Sequence, residues 1–229
     1  MAVLDDTLDR MDALLGAWEE ASDGRAVFLD CYARMTRAMG RELAAGGFDD
    51  PVWVATLLDR FADYYFDALA AWDRRDPGTP RPWVMAHEAA VARRASPAQL
   101  LLAGVNAHIS YDLVLTLVDV LDPEWHRLSP GDTAGRRRDY DRVNDVIAAT
   151  ADEVQDHVLE RYMPWTDAID RGMGPVDEWL AVRLLRSWRT DVWRHTVHLL
   201  DGDPARRPGA VDRRAAQCER RARWILLRG

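Results

Sequence analysis

Apolar residues recur every three or four positions along most of this chain, which is the spacing of amphipathic helices. No segment alternates apolar and polar residues over any length, as a half-buried strand would. Breaks rich in Gly, Pro and Asp separate the periodic segments and predict short connections between neighbouring helices. The pattern predicts an all-α bundle of about eight helices, over residues 4–21, 25–45, 51–72, 83–94, 97–121, 137–162, 176–200 and 213–227.

One of these predicted helices, residues 97–121, is apolar around almost its whole circumference, which places it at the centre of the bundle. Ser96 is a suitable N-cap, Pro97 suits the first helical position, and Gln99 completes a capping box. Asp122, which precedes a proline, ends the helix. The segment is long enough to span a membrane, but its His, Asn and Asp residues favour a buried helix of a soluble protein.

Length and composition predict one all-helical domain over residues 1–229, with 1–24 and 203–229 at its periphery. The chain is 48% hydrophobic and has 10 Trp residues, so it can bury a sizeable core. A net charge of -8 argues against a nucleic-acid partner. We also expect no membrane partner and allow for a homodimer.

The N-terminus and the cysteines predict a cytoplasmic location. The first residues are acidic and amphipathic, without the basic and continuously apolar regions of a signal peptide. Cys31 and Cys218 show neither metal-binding spacing nor a redox motif, so we expect free thiols.

The strongest candidate for chemistry is the pair formed by His108 and Asp112 in the central helix. They are four residues apart, so their side chains can touch on one face. A buried imidazole and carboxylate are costly unless they are paired, hydrogen-bonded or bound to a metal. The pair can therefore be an acid–base centre, part of a metal site, or a structural pair. Asp119 lies further along the same face, where we expect it to reach solvent.

Other polar residues are weaker candidates. Asn106 lies off the face of His108 and is expected to bond across to another helix, while a lone His87 is more often packed than catalytic. Asp191, His195 and His198 have the spacing of metal ligands, but their neighbours favour a solvated helix face.

Seven groups of residues along the chain carry a resemblance to a known family. They are Tyr32 with Met35-Thr36, Phe48-Asp49-Asp50-Pro51, Phe61-Ala62 with Tyr65 and Ala68, Trp83, Leu101–Leu113, Asp139-Tyr140 with Val143-Asn144, and Arg189 with Trp193. Over roughly residues 25–200 the chain resembles the bacterial family called domain of unknown function 5995. The resemblance implies an all-helical fold and no assigned activity. It points to five residues as a set: Asn106, His108, Asp112, Asp139 and Asn144.

Our leading hypothesis is an enzyme acting on a hydrophobic small molecule in a pocket of the bundle, as in bacterial specialised metabolism. It needs no cofactor, and cyclisation, elimination and hydrolysis all fit. The expected catalytic residues are His108, Asp112 and Asp139. The expected substrate-binding residues are Asn106, Tyr111, Asn144, Arg189 and Trp193.

Two alternatives stay open. The first is a metal-dependent hydrolase or oxygenase with Zn or Fe, held by a set drawn from His108, Asp112, Asp139, His157 and His195. The second is a ligand-binding or interaction module without catalysis, in which the buried polar residues fix helix packing.

Overall fold

The computed structural model describes residues 2–162 and 174–227, with side chains described for 4–150, 157–158, 161–162 and 182–227. Within these residues the chain forms eight helices and no strand, which confirms the all-α fold. The helices are α1 (Ala2–Glu20), α2 (Arg25–Ala44), α3 (Pro51–Asp73), α4 (Arg81–Ala92), α5 (Pro97–Leu121), α6 (Pro130–Tyr162), α7 (Gly174–Asp201) and α8 (Arg207–Leu227). Short 3-10 turns at Trp125–Arg127 and Pro204–Arg206 precede α6 and α8.

Helix α5 is the central helix, and its start has the predicted capping box. The Ser96 side chain accepts from the Gln99 backbone N–H, and the Gln99 side chain accepts from the Ser96 N–H. Among the described helices, α5 has the length and composition of a membrane span, but it lies mostly buried against other helices. A core helix of a soluble protein has the same properties, so this finding leaves membrane association open.

A π-helical turn divides α5. It covers His108–Asp112, between α-helical segments at Pro97–Ala107 and Leu113–Leu121. The backbone N–H of Leu113 donates to the carbonyl of His108, five residues earlier. Such a turn holds one residue more than an α-turn, so it rotates the second half of the helix relative to the first. The sequence pattern, with its helical period taken as constant, predicted an unbroken α-helix here.

The two halves of α5 pack into different parts of the core. Ala103 and Ala107 of the first half belong to a cluster with residues of α1 to α4, including Met11 and Trp83. Residues of the second half, such as Leu117, belong to a cluster formed mainly with α3, α6 and α7. The π-helical turn therefore lies at the boundary between two hydrophobic clusters.

Two helices begin six or more residues earlier than the sequence pattern predicts. Helix α6 begins at Pro130 instead of Arg137, because Ser129 and Asp132 hydrogen-bond each other's backbone N–H in a reciprocal cap. Helix α8 begins at Arg207, directly after a 3-10 turn whose N-cap is Asp203. Glycines in both segments led the pattern to predict loops.

The terminal helices are part of the core, which corrects the prediction that residues 1–24 and 203–229 are peripheral. Met11 of α1 is fully buried, and so is Ala222 of α8. Helix α8 packs on α4 and α5, where the backbone carbonyl of Cys218 accepts from the Asn106 side chain. The apolar faces of both helices thus complete the bundle.

Gly104 permits close contact between α5 and α2. A Cβ at this position would lie 2.5 Å from ring carbons of Phe28. We expect Gly104→Ala to lower the free energy of unfolding by about 1–3 kcal/mol, because the ring must move within a packed core. The control is Gly16→Ala, since Gly16 lies exposed on α1 with no atom within 4 Å of the added methyl. There we expect a gain of about 0.5–1 kcal/mol, because alanine favours helices. Urea unfolding of both variants measures the difference, and equal effects would contradict the expected clash.

Candidate small-molecule site around His108

The predicted pair of His108 and Asp112 is formed. His108 Nδ1 lies 3.0 Å from Asp112 Oδ2, and both side chains are buried. The indole N–H of Trp83, from α4, donates to the same carboxyl oxygen over 2.9 Å. The carboxyl group therefore holds the imidazole by one ring nitrogen and is itself held by α4.

Aromatic rings fix the His108 imidazole on its other sides. Phe61 of α3 stacks on it, with ring centroids 3.6 Å apart and planes 9° from parallel. Tyr32 of α2 approaches at 4.3 Å and Phe28 at 5.8 Å, both nearly edge-on. The remaining nitrogen, His108 Nε2, is buried and makes no hydrogen bond to any described residue. A buried polar atom without a partner is uncommon and costly, and a hydrogen bond to a bound molecule would remove that cost.

Burial favours the uncharged form of both members of the pair. It lowers the pKa of His108 well below its ordinary value and raises the pKa of Asp112 well above its ordinary value, although the Trp83 hydrogen bond opposes the latter shift. In the uncharged pair, the Asp112 carboxyl group donates to His108 Nδ1. The second ring nitrogen, Nε2, then carries the imidazole hydrogen and is a donor.

His108 lines a cavity of about 140 Å³. Five helices contribute apolar side chains to its wall, including Met35 of α2, Leu57 of α3, Val105 of α5, Val146 of α6 and Leu185 of α7. An engineered protein cavity of roughly 150 Å³ binds benzene, so this one is large enough for a small organic ligand.

Few polar groups face this cavity. Burial raises the pKa of the Cys31 thiol to about 12, so that thiol stays protonated, and the Thr36 hydroxyl donates to the backbone of Tyr32. The Tyr32 hydroxyl makes no hydrogen bond to the described residues. His108, Tyr32 and the guanidinium of Arg189 are thus the polar groups available to a ligand in the described part of the wall.

Two of the predicted substrate-binding residues contribute to this site. Arg189 lines the cavity directly. Asn144 lies behind it and accepts from Arg189 Nε over 2.8 Å, so it positions the guanidinium. The backbone carbonyl of Tyr140 accepts from Nη2 of the same side chain over 2.8 Å.

The other predicted residues lie elsewhere. Asp139, predicted to be catalytic, caps the start of α3, where its carboxylate accepts from the backbone N–H groups of Asp49 and Asp50, each over 2.8 Å. Asn106 bonds to α8, as its off-face position predicts. Tyr111 and Trp193 are buried away from the cavity wall. The sequence could not show these positions, because each depends on which helices are neighbours.

Of the residues predicted to hold a metal, His108 and Asp112 lie together, but no third predicted ligand joins them in the part of the chain that the structure describes. His157 is exposed on α6, and Asp139 is engaged by the start of α3. Among the residues that the structure describes, no three His, Cys, Asp or Glu side chains are placed to hold an ion. The geometry gives the metal alternative no ligand set within that part of the chain.

The second group of acidic and histidine residues, predicted to lie on a solvated face, is partly buried. His198 is exposed, and Asp191 forms an ion pair with Arg214. His195 is half-buried. Asp119 also reaches the surface, where Arg60 and Tyr64 donate to it.

The chain is similar to a known protein family. The family model described as "Family of unknown function (DUF5995)" matches residues 4–228. The chain belongs to this family. The match extends the resemblance carried by residues 25–200 to nearly the whole chain, including α1 and α8. Neither the curated proteins nor the solved structures give a match.

Three residues of the site were not predicted to have a role there: Trp83, Phe61 and Tyr32. Their aromatic character gave no separate signal, because aromatic residues at helical spacing are usually core. All three nevertheless stand among the residues that carry the resemblance to DUF5995. In this member of the family they surround His108.

Proposed function

We propose that this DUF5995 protein is an enzyme that binds a hydrophobic small molecule in the cavity and transfers a proton to it from His108. The observation that carries the proposal is that His108 lines an apolar cavity while its Nε2 is buried and makes no hydrogen bond to a described residue. A mostly apolar pocket with a few fixed polar groups is the usual form of a small-molecule site.

The hydrogen-bonded chain from Trp83 to His108 supports proton transfer in both directions. When Nε2–H gives its proton to a ligand, Nδ1 takes the Asp112 proton, so the imidazole stays neutral and the carboxylate carries the charge. The indole N–H of Trp83 already points at that carboxyl oxygen and stabilises the charge as it forms. The reverse transfer returns Nε2 to its starting state. Hydrolysis, elimination and cyclisation all use such steps.

A second candidate function is ligand binding without turnover. It is favoured by the depressed pKa of His108, which makes the imidazole a weak base, and by the scarcity of other reactive groups in the described wall. In that case Nε2–H is a fixed hydrogen-bond donor that orients the ligand. The two candidates differ in whether a proton moves.

The test is turnover of hydrophobic esters, epoxides and unsaturated carbonyl compounds in D2O, followed by mass spectrometry. We expect conversion or deuterium uptake with the wild-type protein and a loss of roughly a hundredfold or more in His108→Gln, because general acid–base catalysis is commonly worth that much. His198→Gln, at an exposed histidine of α7, is the matched control and should retain full activity.

Conversion that persists in His108→Gln would contradict the assignment of His108. Binding in the cavity without conversion or deuterium uptake would favour the second candidate function. A cytoplasmic location, and a homodimer without nucleic-acid or membrane partners, stay predictions.

A further inference from the structure

The cavity wall contains a buried arginine that forms no ion pair with a described residue. Arg189 is 3% exposed, and its two described hydrogen-bond acceptors are the neutral oxygens of Asn144 and of the Tyr140 backbone. Its guanidinium also lies over the Tyr140 ring, 4.2 Å from the centroid. Nη1 makes no hydrogen bond to a described residue. A buried charge is costly unless an opposite charge accompanies it.

A second buried arginine has an ion-pair partner, although its Nη2 makes no hydrogen bond to a described residue. Arg214 is 4% exposed and forms an ion pair with Asp191, with Nη1 and Oδ2 2.5 Å apart. The acidic residues of α6 that follow Tyr140 and Asn144 in sequence have other partners. Asp141 pairs with Arg137, and Asp145 pairs with Arg186. No described carboxylate forms an ion pair with Arg189, although the more distant Asp141 favours its charged form.

We propose that the ligand of this cavity is a hydrophobic carboxylic acid whose carboxylate is bound by Arg189. This inference rests on the proposed function and names its substrate class. The free edge of a guanidinium matches a planar carboxylate, and the hydrocarbon wall matches an aromatic or short aliphatic body. A phosphate or sulfonate fits less well, because Arg189 is the one cation in the described wall and would leave oxygens of such a group without donors.

His108 and Arg189 lie on different helices of the same wall, so an acid held at Arg189 presents the rest of its body to the imidazole. The carboxylate is then the group that anchors the ligand, and it is not the group that reacts. The Tyr32 hydroxyl is available to a second polar group of the ligand.

The test compares benzoate, phenylacetate, 3-phenylpropanoate and hexanoate with their primary amides by calorimetry at neutral pH. The amides keep the shape and remove the charge. With the wild-type protein we expect the best acid to bind at least roughly tenfold more tightly than its amide, because charge-assisted hydrogen bonds are the stronger ones. In Arg189→Met we expect acid and amide to bind equally.

The matched control is Arg186→Met, one turn earlier on α7, where the arginine is half-exposed and pairs with Asp145. It should keep the preference for the acid. If Arg189→Met does not fold, Arg189→Lys tests the same point. Lysine keeps the charge but lacks the planar guanidinium that binds a carboxylate through two hydrogen bonds. The preference for the acid over its amide should therefore be smaller but still present.

The proposal is overturned if no acid binds, if the amides bind as tightly as the acids, or if Arg189→Met keeps the preference. Tighter binding of phenyl phosphate or benzenesulfonate than of benzoate would overturn the carboxylate assignment. His108→Gln should retain the preference for acids. Arg189-dependent binding without proton transfer would therefore refute the enzyme and leave the ligand class standing. Turnover that depends on His108 without any preference for acids would refute the ligand class and leave the enzyme standing.

Discussion

We expect Asp112→Ala to lower the free energy of unfolding by about 2–4 kcal/mol, because two buried groups lose their hydrogen-bond partner at once. The Trp83 indole N–H and His108 Nδ1 both depend on the Asp112 carboxyl group, and neither can reach water in the folded state. Urea unfolding followed by circular dichroism measures the change.

Two controls separate this effect from the loss of any acidic side chain on α5. Asp119→Ala, on the same helix, removes a carboxylate that is 40% exposed, so the change should stay below about 1 kcal/mol. Asp112→Asn keeps an acceptor for Trp83 and should cost less than Asp112→Ala. If Asp112→Ala were no worse than Asp119→Ala, the buried hydrogen-bonded chain would not exist as described.

Acid should destabilise the protein through His87. Burial on α4 lowers the pKa of His87 to about 3 in the folded state, and Arg25 contributes in the same direction against the nearby Asp23. Between pH 6.5 and 3, the unfolded chain, with an ordinary histidine pKa of 6.5, therefore binds a proton at His87 while the folded protein does not. Stability from this residue is complete above pH 6.5 and is lost as the pH falls towards 3. Over that window the loss approaches about 5 kcal/mol.

His87→Phe isolates this contribution. Phenylalanine keeps a ring that can stack on Trp83, 5.3 Å from His87 by ring centroids, and it cannot be protonated. The variant should lose less stability than the wild-type protein between pH 6.5 and 3.5, with the two profiles parallel above pH 7. Unfolding midpoints in urea across this range give the comparison. Identical pH profiles would show that His87 is not a neutral buried histidine.

The sequence was sufficient to predict features that depend on residues of a single helix. The capping box at Ser96 and Gln99, the apolar circumference of α5 and the spacing of His108 and Asp112 are local properties, and each prediction agrees with the structure. Asp119 at the surface is another local case, because the last turns of a helix are close to its exposed end.

The sequence was insufficient wherever a residue's role depends on a partner from another helix. Asp139 and Asn144 are little more than one turn apart on α6. Asp139 nevertheless caps the start of α3, while Asn144 positions Arg189. Their residue types do not distinguish these roles. The charge of Arg189 also gave no indication that it is buried without an ion pair to a described residue. The π-helical turn was missed because hydrophobic periodicity over a whole helix averages out one extra residue.

The position of that turn has a mechanical consequence. His108 touches Phe28 of one hydrophobic cluster and Phe61 of the other, while Asp112 is tied to α4 through Trp83. The hydrogen bond between imidazole and carboxyl therefore lies where the two clusters meet. Any displacement of one cluster relative to the other changes the surroundings of the imidazole, because its ring is in contact with both.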